Sequence, residues 1–356
     1  MPNASPIIST IIPCYNQAHF LPAAIQTLQE QTFSEWEAII VNDGSSDETQ
    51  SVAEELAHSE PRVRVIKQEN RGLSGARNSG IRIAKGAYIH LLDSDDLLHP
   101  QAYEWLIEGI GSDRCTLAVM KFAFFENDPA KDLTTEGTER SYEPFIPSLI
   151  EKNLGTCHAY LAPRDLVIEV GGFDESTRAG EEDLWLRLAL HGCKLAVIPH
   201  VGAYYRRYAG SMSTDPFKMF HGWIQAQIRA WKWLKTGDDQ LVRIDSETRR
   251  SAIDQEERQI LMSLGKIALQ LICAGRMGEG LKLWKITRRS FLTHGWSDRS
   301  RLIRELFPLI PYMIAGRTTR LTPSQQQSAA ALADLVEYCV ERAPLIPDTF
   351  EKEPAE

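Results

Sequence analysis

Short apolar runs and segments of helical periodicity alternate along the first hundred residues, and this alternation restricts the fold more than any other feature. The apolar runs are residues 7–12, 37–41, 63–67 and 87–92. Segments with apolar residues at helical spacing separate them, at residues 21–28, 47–58 and 73–84. Strands that alternate with helices over short loops are typical of βαβ units. We therefore predict an α/β fold with a Rossmann-like, mainly parallel sheet flanked by helices.

Composition excludes several classes of function. The 356 residues carry a net charge of −9, so we expect no binding to nucleic acid through overall charge. The six cysteines are scattered and form no CxxC pair, which predicts reduced, buried thiols rather than disulfides or a zinc site. Reduced thiols of this kind fit a cytoplasmic location. Because no continuous apolar run reaches about 18 residues, we expect no transmembrane helix.

The pattern changes towards the C-terminus. Residues 209–216 read AGSMSTDP and mark a domain boundary, and the chain beyond them carries amphipathic helical stripes. We predict an α/β domain over residues 1–215, an α-helical C-terminal extension over 216–343 and a disordered tail over 344–356. Residues 302–320 mix apolar and basic side chains, so a peripheral contact at the inner face of the membrane is an alternative to core packing. The prolines in that segment favour core packing.

Polar clusters follow the ends of the four predicted N-terminal strands. In open α/β sheets, ligands bind at the carboxyl ends of the strands, so these clusters are expected to converge on one edge. They are PCYN at 13–16, NDGSSD at 42–47, NRG at 70–72 and DSDD at 93–96. This edge is therefore the predicted functional site.

The last of these clusters places three aspartates within four residues. Asp93 and Asp95 are two residues apart, so in an extended segment they share one face. Two such carboxylates about 4 Å apart repel each other by about 1 kcal/mol even in water. One interpretation is a polar turn in which Asp96 caps the next helix. The other is a Mg²⁺ or Mn²⁺ site completed by phosphate and water, and these residues alone leave both open.

The other strand ends offer candidate contacts to a nucleotide. Asp43 is placed to accept an N–H from a ring such as uracil, and Tyr15 offers a face for stacking. Arg77 is a candidate for a diphosphate contact, with a solvated surface charge as the alternative. Gly72 and Gly75 match neither the GxGxxG fingerprint nor the P-loop, which argues against dinucleotide binding and NTP hydrolysis.

Taken in order, these segments resemble glycosyltransferase family 2, which has the GT-A fold. The segments that carry the resemblance are ISTIIPCYNQAHFLPAAIQTLQEQTFSEWEAIIVNDGSSDET, QENRGLSGARNSGI, KGAYIHLLDSDDLLHP, GGFDE, EEDLWLRLALHG and YYRRYAGSMS, which together reach about residue 215. The resemblance implies a metal-dependent, inverting, hexosyltransferase-like enzyme. Its donor would be a nucleotide sugar, UDP-linked by expectation, and its acceptor a hydroxyl of a saccharide or lipid-linked saccharide. Polysaccharide or glycoconjugate synthesis is the implied setting.

The resemblance also implies roles for individual residues near the nucleotide. Pro13, Tyr15 and Asp43 would line the nucleoside pocket, while Asp93 and Asp95 would be the DxD pair that contacts ribose and the divalent metal, Mg²⁺ or Mn²⁺. For the diphosphate, the candidates are Arg206 and Arg207. Tyr208 stands where relatives often carry a histidine, which leaves open whether the protein supplies a late metal ligand.

The catalytic base is expected among three consecutive acids at the start of a helix. The family places a Glu-Asp pair here, but the spacing in this chain differs by one residue from that in many relatives. We favour Asp183 as the base, with Glu182 second. The difference in spacing leaves open which of Glu181, Glu182 and Asp183 corresponds to the base of the family. Acidic residues are also favoured in a first helical turn by its dipole, without a catalytic role. Gly172, Phe173 and Asp174 of GGFDE would border the acceptor.

Two other classes of function stay open on sequence alone. A nucleotidyltransferase also combines such a sheet with metal-bound carboxylates, but the loop PCYNQAHF lacks a Lys or Arg to hold a triphosphate. A non-catalytic binding or scaffold protein on a degenerate transferase fold is the second alternative, to which the altered spacing at 181–183 and Tyr208 point. The retained Asp43, Asp93 and Asp95 favour an enzyme.

Overall fold

The computed structural model describes residues 6–126, 134–136, 155–176, 180–208, 216–236, 241–256 and 259–260. Its strands are β1 Ile8–Cys14, β2 Trp36–Asp43, β3 Val63–Gln68, β4 Tyr88–Leu91, β5 Leu97–Leu98, β6 Thr116–Phe125, β7 Thr134–Glu136, β8 Tyr160–Pro163 and β9 Lys194–Arg206. Its helices are α1 Leu21–Gln29, α2 Thr49–Ser59, α3 Gly72–Ile83, α4 Ala102–Ile110, α5 Arg164–Glu169, α6 Gly180–Leu190 and α7 Pro216–Thr236. A 3₁₀ turn covers Cys157–Ala159, and residues 246–256 are also helical.

The strands form one sheet in the order β3-β2-β1-β4-β8-β6-β9-β5, with β7 paired to β6. The β1–β2, β2–β3 and β1–β4 pairs are parallel, which confirms the predicted βαβ arrangement of the first hundred residues. Beyond β4 the sheet is mixed, since β8 pairs antiparallel with both β4 and β6 while β6 and β9 are parallel. The architecture is thus an open α/β sheet flanked by helices.

Packing against the sheet explains the helical segments. β1 and β2 are buried along their whole length, as expected of strands covered on both faces. On one side, α1 has a proline at its N-terminus, where the missing N–H costs nothing, and it buries Leu21, Ile25 and Leu28. On α3, a Cβ at Gly80 would collide with Ile11, so the glycine allows this helix to lie directly on the sheet.

The segment after the acidic turn differs from the prediction. The structure contains a two-residue strand there, Leu97–Leu98, which pairs antiparallel with Tyr204 and Ala203 of β9. The next helix begins only at Ala102 and has no side-chain cap. The interpretation of Asp96 as a helix cap is therefore wrong, and the environment of Asp96 is described with the site below.

Two compact units divide the chain. One comprises Met1–Thr214 with Lys232–Ala252, and the other comprises Asp215–Trp231 with Ile253–Glu356. The predicted boundary at residue 215 and the predicted helical region 216–343 stay predictions. Residues 261–356 lie outside the described part of the chain, and they include the segment 302–320 and the tail 344–356. None of the described helices combines the length and apolarity that a membrane span requires.

Candidate active site

The carboxyl ends of the parallel strands meet, as the sequence predicts. The backbone N–H of Asn16, after β1, donates to Oγ of Ser45 after β2 at 3.0 Å. In return, Oδ1 of Asn16 accepts the N–H of Ser46 at 2.8 Å. The residue at the end of β1 that would stack on a base, Tyr15, is about half exposed at 52%. Pro13 lies within β1 and is buried.

Asp43, the last residue of β2, is held in place from one side only. Its carboxylate is buried, and Oδ1 accepts hydrogen bonds from Nε2 of Gln68 at 2.7 Å and from the backbone N–H of Arg71 at 2.9 Å. Within the described residues, both of these bonds go to the same oxygen. Oδ2 is therefore the oxygen that a ligand N–H would use. This arrangement suits the nucleoside contact that the sequence predicts for Asp43.

Arg77 links the acidic turn after β4 to the start of α6. Its guanidinium is 1% exposed, and it donates to Oδ1 of Asp93 at 2.9 Å, to Oε2 of Glu181 at 3.1 Å and to Sγ of Cys157 at 3.2 Å. Burial alone would lower the pKa of Arg77, but the charges of Asp93 and Glu181 outweigh it and raise that pKa well above its ordinary value. The alternative of a solvated surface charge is therefore wrong. Arg77 reaches the nucleotide edge through Asp93.

Asp95 of the acidic turn is half-buried, as Asp93 is. Burial raises the pKa of its carboxyl to about 7, with further contributions from the charges of Asp96 and Asp93. Nε2 of Gln17 lies 3.4 Å from its Oδ2 and 3.1 Å from the hydroxyl of Tyr208, while Oε1 of Gln17 accepts the hydroxyl of Ser94 at 2.5 Å. Gln17 thus ties the loop after β1 to the acidic turn and to the end of β9.

Asp96 points away from the edge into a buried ion pair. Its Oδ2 lies 3.0 Å from Nδ1 of His158, and both side chains are almost fully buried. Oδ1 accepts the backbone N–H of Arg206 at 2.8 Å. Burial acts to lower the pKa of His158, but the Asp96 carboxylate outweighs it and raises that pKa. Asp96 therefore anchors the turn to the 3₁₀ segment and β9, and Asp93 and Asp95 are left at the edge.

The three acids of α6 have three different environments. Asp183 is 1% exposed, and its Oδ2 accepts Nε of Arg187 at 2.9 Å. Arg187 also donates to the carbonyl oxygens of Val170 and Gly172, so the Asp183–Arg187 pair fixes the turn that precedes Phe173. Asp183 therefore has a structural partner that the sequence prediction did not include.

Glu182 differs from its neighbour Asp183. It is half-buried, and burial raises the pKa of its carboxyl to about 8, with the charge of Glu181 adding to the effect. Glu181 itself is paired with Arg77. A carboxyl with a pKa near neutrality is suited to general acid–base chemistry.

The GGFDE turn follows α5. Gly171 and Gly172 have positive φ values of 88° and 64°, which explains the two glycines. Phe173 is buried, and its ring lies 5.2 Å from Cζ of Arg77. Asp174 accepts the backbone N–H of Ser176 at 2.8 Å. The turn therefore lies beside Arg77, which contacts both the acidic turn and α6.

The two arginines predicted for the diphosphate lie at the end of β9. Nε of Arg206 donates to the carbonyl oxygen of Asp95 at 2.8 Å, and burial lowers the pKa of Arg206. Arg207 is exposed, with its Cζ 3.4 Å from the centre of the Phe124 ring. Arg206 therefore supports the backbone of the acidic turn, and Arg207 lies on an aromatic face.

The acidic turn fits a hard divalent cation. Asp93 and Asp95 are left at the edge, and the pKa of Asp95 near 7 is raised first by burial and then by the charges of Asp96 and Asp93, which a cation would compensate. Carboxylate oxygens are the ligands that Mg²⁺ and Mn²⁺ prefer. Within the described residues, no group of three or more His, Cys, Asp or Glu side chains is arranged to hold a metal ion. A cation bound to Asp95 and Asp93 would therefore take further ligands from phosphate and water.

Several residues of the site were not singled out from the sequence. Gln17, Cys157 and His158 contact the acidic turn, yet they are far from it in the chain. No short-range pattern marks them. Of the cysteines predicted to be buried thiols, Cys14, Cys157 and Cys193 are free and buried, whereas Cys115 is free but exposed. Cys273 and Cys339 lie outside the described residues.

Solved structures share this architecture. One is the mannosyltransferase PcManGT from Pyrobaculum calidifontis in complex with GDP-Man and Mn²⁺, with a TM-score of 0.57, 17% identity and coverage of 94% of this chain and 89% of that chain. Another is TarS of S. aureus in complex with UDP-GlcNAc, with a TM-score of 0.55, 14% identity and coverage of 82% and 93%. At these identities the likeness shows the fold alone, which is the GT-A fold.

Sequence comparison matches part of the chain to one family. Residues 9–168 match the model of Glycosyl transferase family 2. The chain is 44% identical over 224 residues to the uncharacterized glycosyltransferase EpsJ of Bacillus subtilis (strain 168), which covers 60% of this chain and 64% of EpsJ. It is 37% identical over 108 residues to chondroitin synthase of Escherichia coli, which covers 30% of this chain and 16% of the synthase. The chain thus spans less than two thirds of either relative.

Proposed function

We propose that this chain transfers a sugar from a nucleoside diphosphate donor, a UDP-sugar, to a hydroxyl group of an acceptor, with inversion at the anomeric carbon. The observation that carries the proposal is the bridge formed by Arg77. Its guanidinium joins Asp93 of the acidic turn, at 2.9 Å, to Glu181 of α6, at 3.1 Å. The bridge thereby holds the donor-binding edge next to the start of α6, where Glu182, whose pKa is raised, follows Glu181.

The nucleoside would bind at the ends of β1 and β2. Tyr15 offers an exposed ring for stacking on the base, and Pro13, which is buried in β1, precedes it by two residues. Oδ2 of Asp43 would accept the imide N–H of uracil. Asp93 lies at the same edge and is the candidate for the ribose. The structure of TarS named above contains UDP-GlcNAc, which supports a UDP-sugar here.

The diphosphate would lie against the acidic turn. Asp95 and Asp93 would hold Mg²⁺ or Mn²⁺, and the PcManGT structure with Mn²⁺ supports this choice. When bound, the cation would stabilise the negative charge of the departing diphosphate. Gln17 and Tyr208 keep the Asp95 carboxylate in place through their contacts with it. Arg206 holds the backbone of the turn, while Arg207 and Tyr208 follow it in the chain and are the further candidates for a diphosphate contact.

Glu182 is the proposed catalytic base, ahead of Asp183. In a single displacement, the acceptor hydroxyl attacks C1 of the sugar, Glu182 takes the hydroxyl proton, and the C1–O bond to the diphosphate breaks to release UDP. Asp183 is already engaged by Arg187 in a buried ion pair, so its assignment as the base is replaced by a structural role. The turn of Gly172, Phe173 and Asp174 would border the acceptor, which we propose to be a saccharide or a lipid-linked saccharide.

A cytoplasmic location is proposed, with a peripheral contact of residues 302–320 at the inner face of the membrane as the alternative to their packing in the core. Sedimentation of the full chain with anionic liposomes tests this point by itself. Protein in the pellet supports the peripheral contact. Protein that stays in the supernatant at low ionic strength contradicts it.

The function itself is tested by incubating the protein with a panel of nucleotide sugars and Mn²⁺ or Mg²⁺. Release of UDP from a UDP-sugar, which increases when a mixture of saccharide acceptors is added, is the expected result. Release of pyrophosphate from a nucleoside triphosphate would instead indicate a nucleotidyltransferase. Binding of UDP without turnover of any donor would indicate a non-catalytic binding protein.

A further inference from the structure

The GGFDE turn is attached to α3 by the side chain of Asn78. Oδ1 of Asn78 accepts the backbone N–H of Phe173 at 2.8 Å, and Nδ2 donates to the carbonyl oxygen of Phe173 at 2.8 Å. Nδ2 also donates to Oε1 of Glu175 at 2.9 Å. One amide side chain therefore satisfies both backbone groups of the residue at the centre of the turn, much as a neighbouring strand would.

An ion pair continues this attachment towards the nucleotide edge. Nη2 of Arg71 lies 2.7 Å from Oε2 of Glu175, and the backbone N–H of Arg71 donates to Asp43 at 2.9 Å. The side chains of Arg71 and Glu175 are 44% and 33% exposed, so substitution of either leaves the core intact. A continuous series of contacts therefore runs from Asp43 through Arg71 and Glu175 to Asn78 and Phe173.

Glycines on both surfaces make this close approach possible. A Cβ at Gly75 would lie 2.6 Å from Cβ of Arg71 and 3.3 Å from Oε2 of Glu175. On the opposite surface, a Cβ at Gly172 would lie 2.7 Å from Oδ1 of Asn78. A side chain at Gly172 would therefore press on the Asn78 amide, and one at Gly75 would collide with Arg71 at the start of the same helix. The contact between Gly172 and Asn78 thus fits the turn to α3 independently of the ion pair.

We propose that Asn78 and Glu175 are positioning residues that couple the nucleotide edge to the turn at 171–175. A nucleotide that bonds Oδ2 of Asp43 would steady that carboxylate, and Arg71 and Glu175 would pass the effect to the turn. This inference rests on the proposed function, since it takes Asp43 as the nucleoside contact and the turn as the border of the acceptor. The turn would then respond to donor binding before an acceptor contacts it.

Hydrogen exchange of the full chain with and without UDP and Mn²⁺ tests the coupling. In the wild-type protein, UDP is expected to slow exchange of the Phe173 amide several-fold, because that N–H donates to Asn78. Glu175→Gln is expected to abolish the response while the protein stays folded. Asn78→Ala is expected to raise the exchange rate of this amide about tenfold even without UDP. Asp113→Asn is the matched control, because it removes another exposed ion pair, with Lys194, and is expected to keep the response.

A charge swap separates the ion pair from other effects of substitution. Arg71→Glu and Glu175→Arg are each expected to lose the UDP response, and the double variant is expected to regain part of it. An unchanged rate at Phe173 when UDP binds the wild-type protein would overturn the inference, as would a double variant that responds no better than the single ones. If the wild-type protein neither bound UDP nor formed UDP from any UDP-sugar, the proposed function itself would be contradicted.

Discussion

Oδ2 of Asp183 lies 2.9 Å from Nε and 2.8 Å from Nη2 of Arg187, one helical turn further along α6. Both side chains are buried, and Arg187 in turn binds the carbonyl oxygens of Val170 and Gly172. Because of this pair, Asp183 is given a structural role and Glu182 the role of the proposed base. Replacement of Asp183 by its amide is therefore expected to affect stability, and replacement of Glu182 by its amide is expected to affect activity.

Asp183→Asn is expected to destabilise the protein. The substitution leaves the Arg187 charge buried without its partner, and breaking a buried ion pair costs about 3–5 kcal/mol of the free energy of unfolding. Urea denaturation compares this variant with Glu182→Gln at pH 7, where the introduced amide resembles the protonated carboxyl of Glu182. We expect Glu182→Gln to be within about 0.5 kcal/mol of wild type. Equal stability of the two variants would contradict the structural role of Asp183.

The raised pKa of Glu182 predicts a pH dependence of stability. Because the folded-state pKa is about 8 and the ordinary value is 4.5, the folded protein binds more protons than the unfolded chain between these values. The contribution of Glu182 to stability is therefore complete below about pH 4.5 and is lost as the pH rises through 8. Glu182→Gln should lack this decline, so denaturation at pH 6 and pH 9 should show a smaller loss than in wild type. An identical decline in both proteins would argue against the raised pKa.

Catalysis should have the opposite pH dependence. A base must be ionised to accept a proton, so the turnover rate is expected to rise with pH, to be half-maximal near pH 8, the pKa of Glu182, and to level off above it. Rates of UDP release from a UDP-sugar at saturating concentration, measured from pH 5.5 to 9, give this profile. A rate that is constant across this range would exclude Glu182 as the base.

Asp95→Asn is expected to remove the dependence of nucleotide binding on metal. Asn lacks the charge that would hold the cation, whereas the backbone of the turn keeps its bond to Arg206. Calorimetric titration of UDP with and without Mn²⁺ is the measurement, with Asp113→Asn as the control. If Mn²⁺ strengthened UDP binding equally in wild type and Asp95→Asn, Asp95 would not be a metal ligand.

Asp43→Asn tests the nucleoside contact. Asn keeps an oxygen for the bonds from Gln68 and Arg71 but replaces the acceptor proposed for the base with a donor. UDP affinity is expected to fall about 10- to 100-fold, since a hydrogen bond to a charged group contributes about 1.5–3 kcal/mol. Calorimetry with UDP measures the change. Unaltered affinity would place the uracil elsewhere.

The sequence predicted the parallel half of the sheet and its ligand edge because both depend on short-range patterns. Continuous apolar runs that end in Asp43 and Asp93 are read directly from the chain. The antiparallel insertion of β8 between β4 and β6 was not predicted, because it joins segments about 70 residues apart whose pairing leaves no local signal.

The candidate site was predicted less completely than the fold. Glu181, Glu182 and Asp183 are equivalent acids in one helical turn, and only packing decides which faces Arg77 and which faces Arg187. The burial of Arg77 likewise depends on Asp93 and Glu181, which come from two other elements. Long-range contacts of this kind require the folded structure.

The most direct test of the account is the rate of UDP formation from a UDP-sugar and Mn²⁺ by wild type and by Glu182→Gln, after UDP binding by both has been verified. The account predicts turnover by the wild-type protein and a loss of about 100-fold or more in the variant, with UDP affinity unchanged. Wild-type rates in Glu182→Gln, or the absence of turnover in wild type with every nucleotide sugar offered, would contradict it.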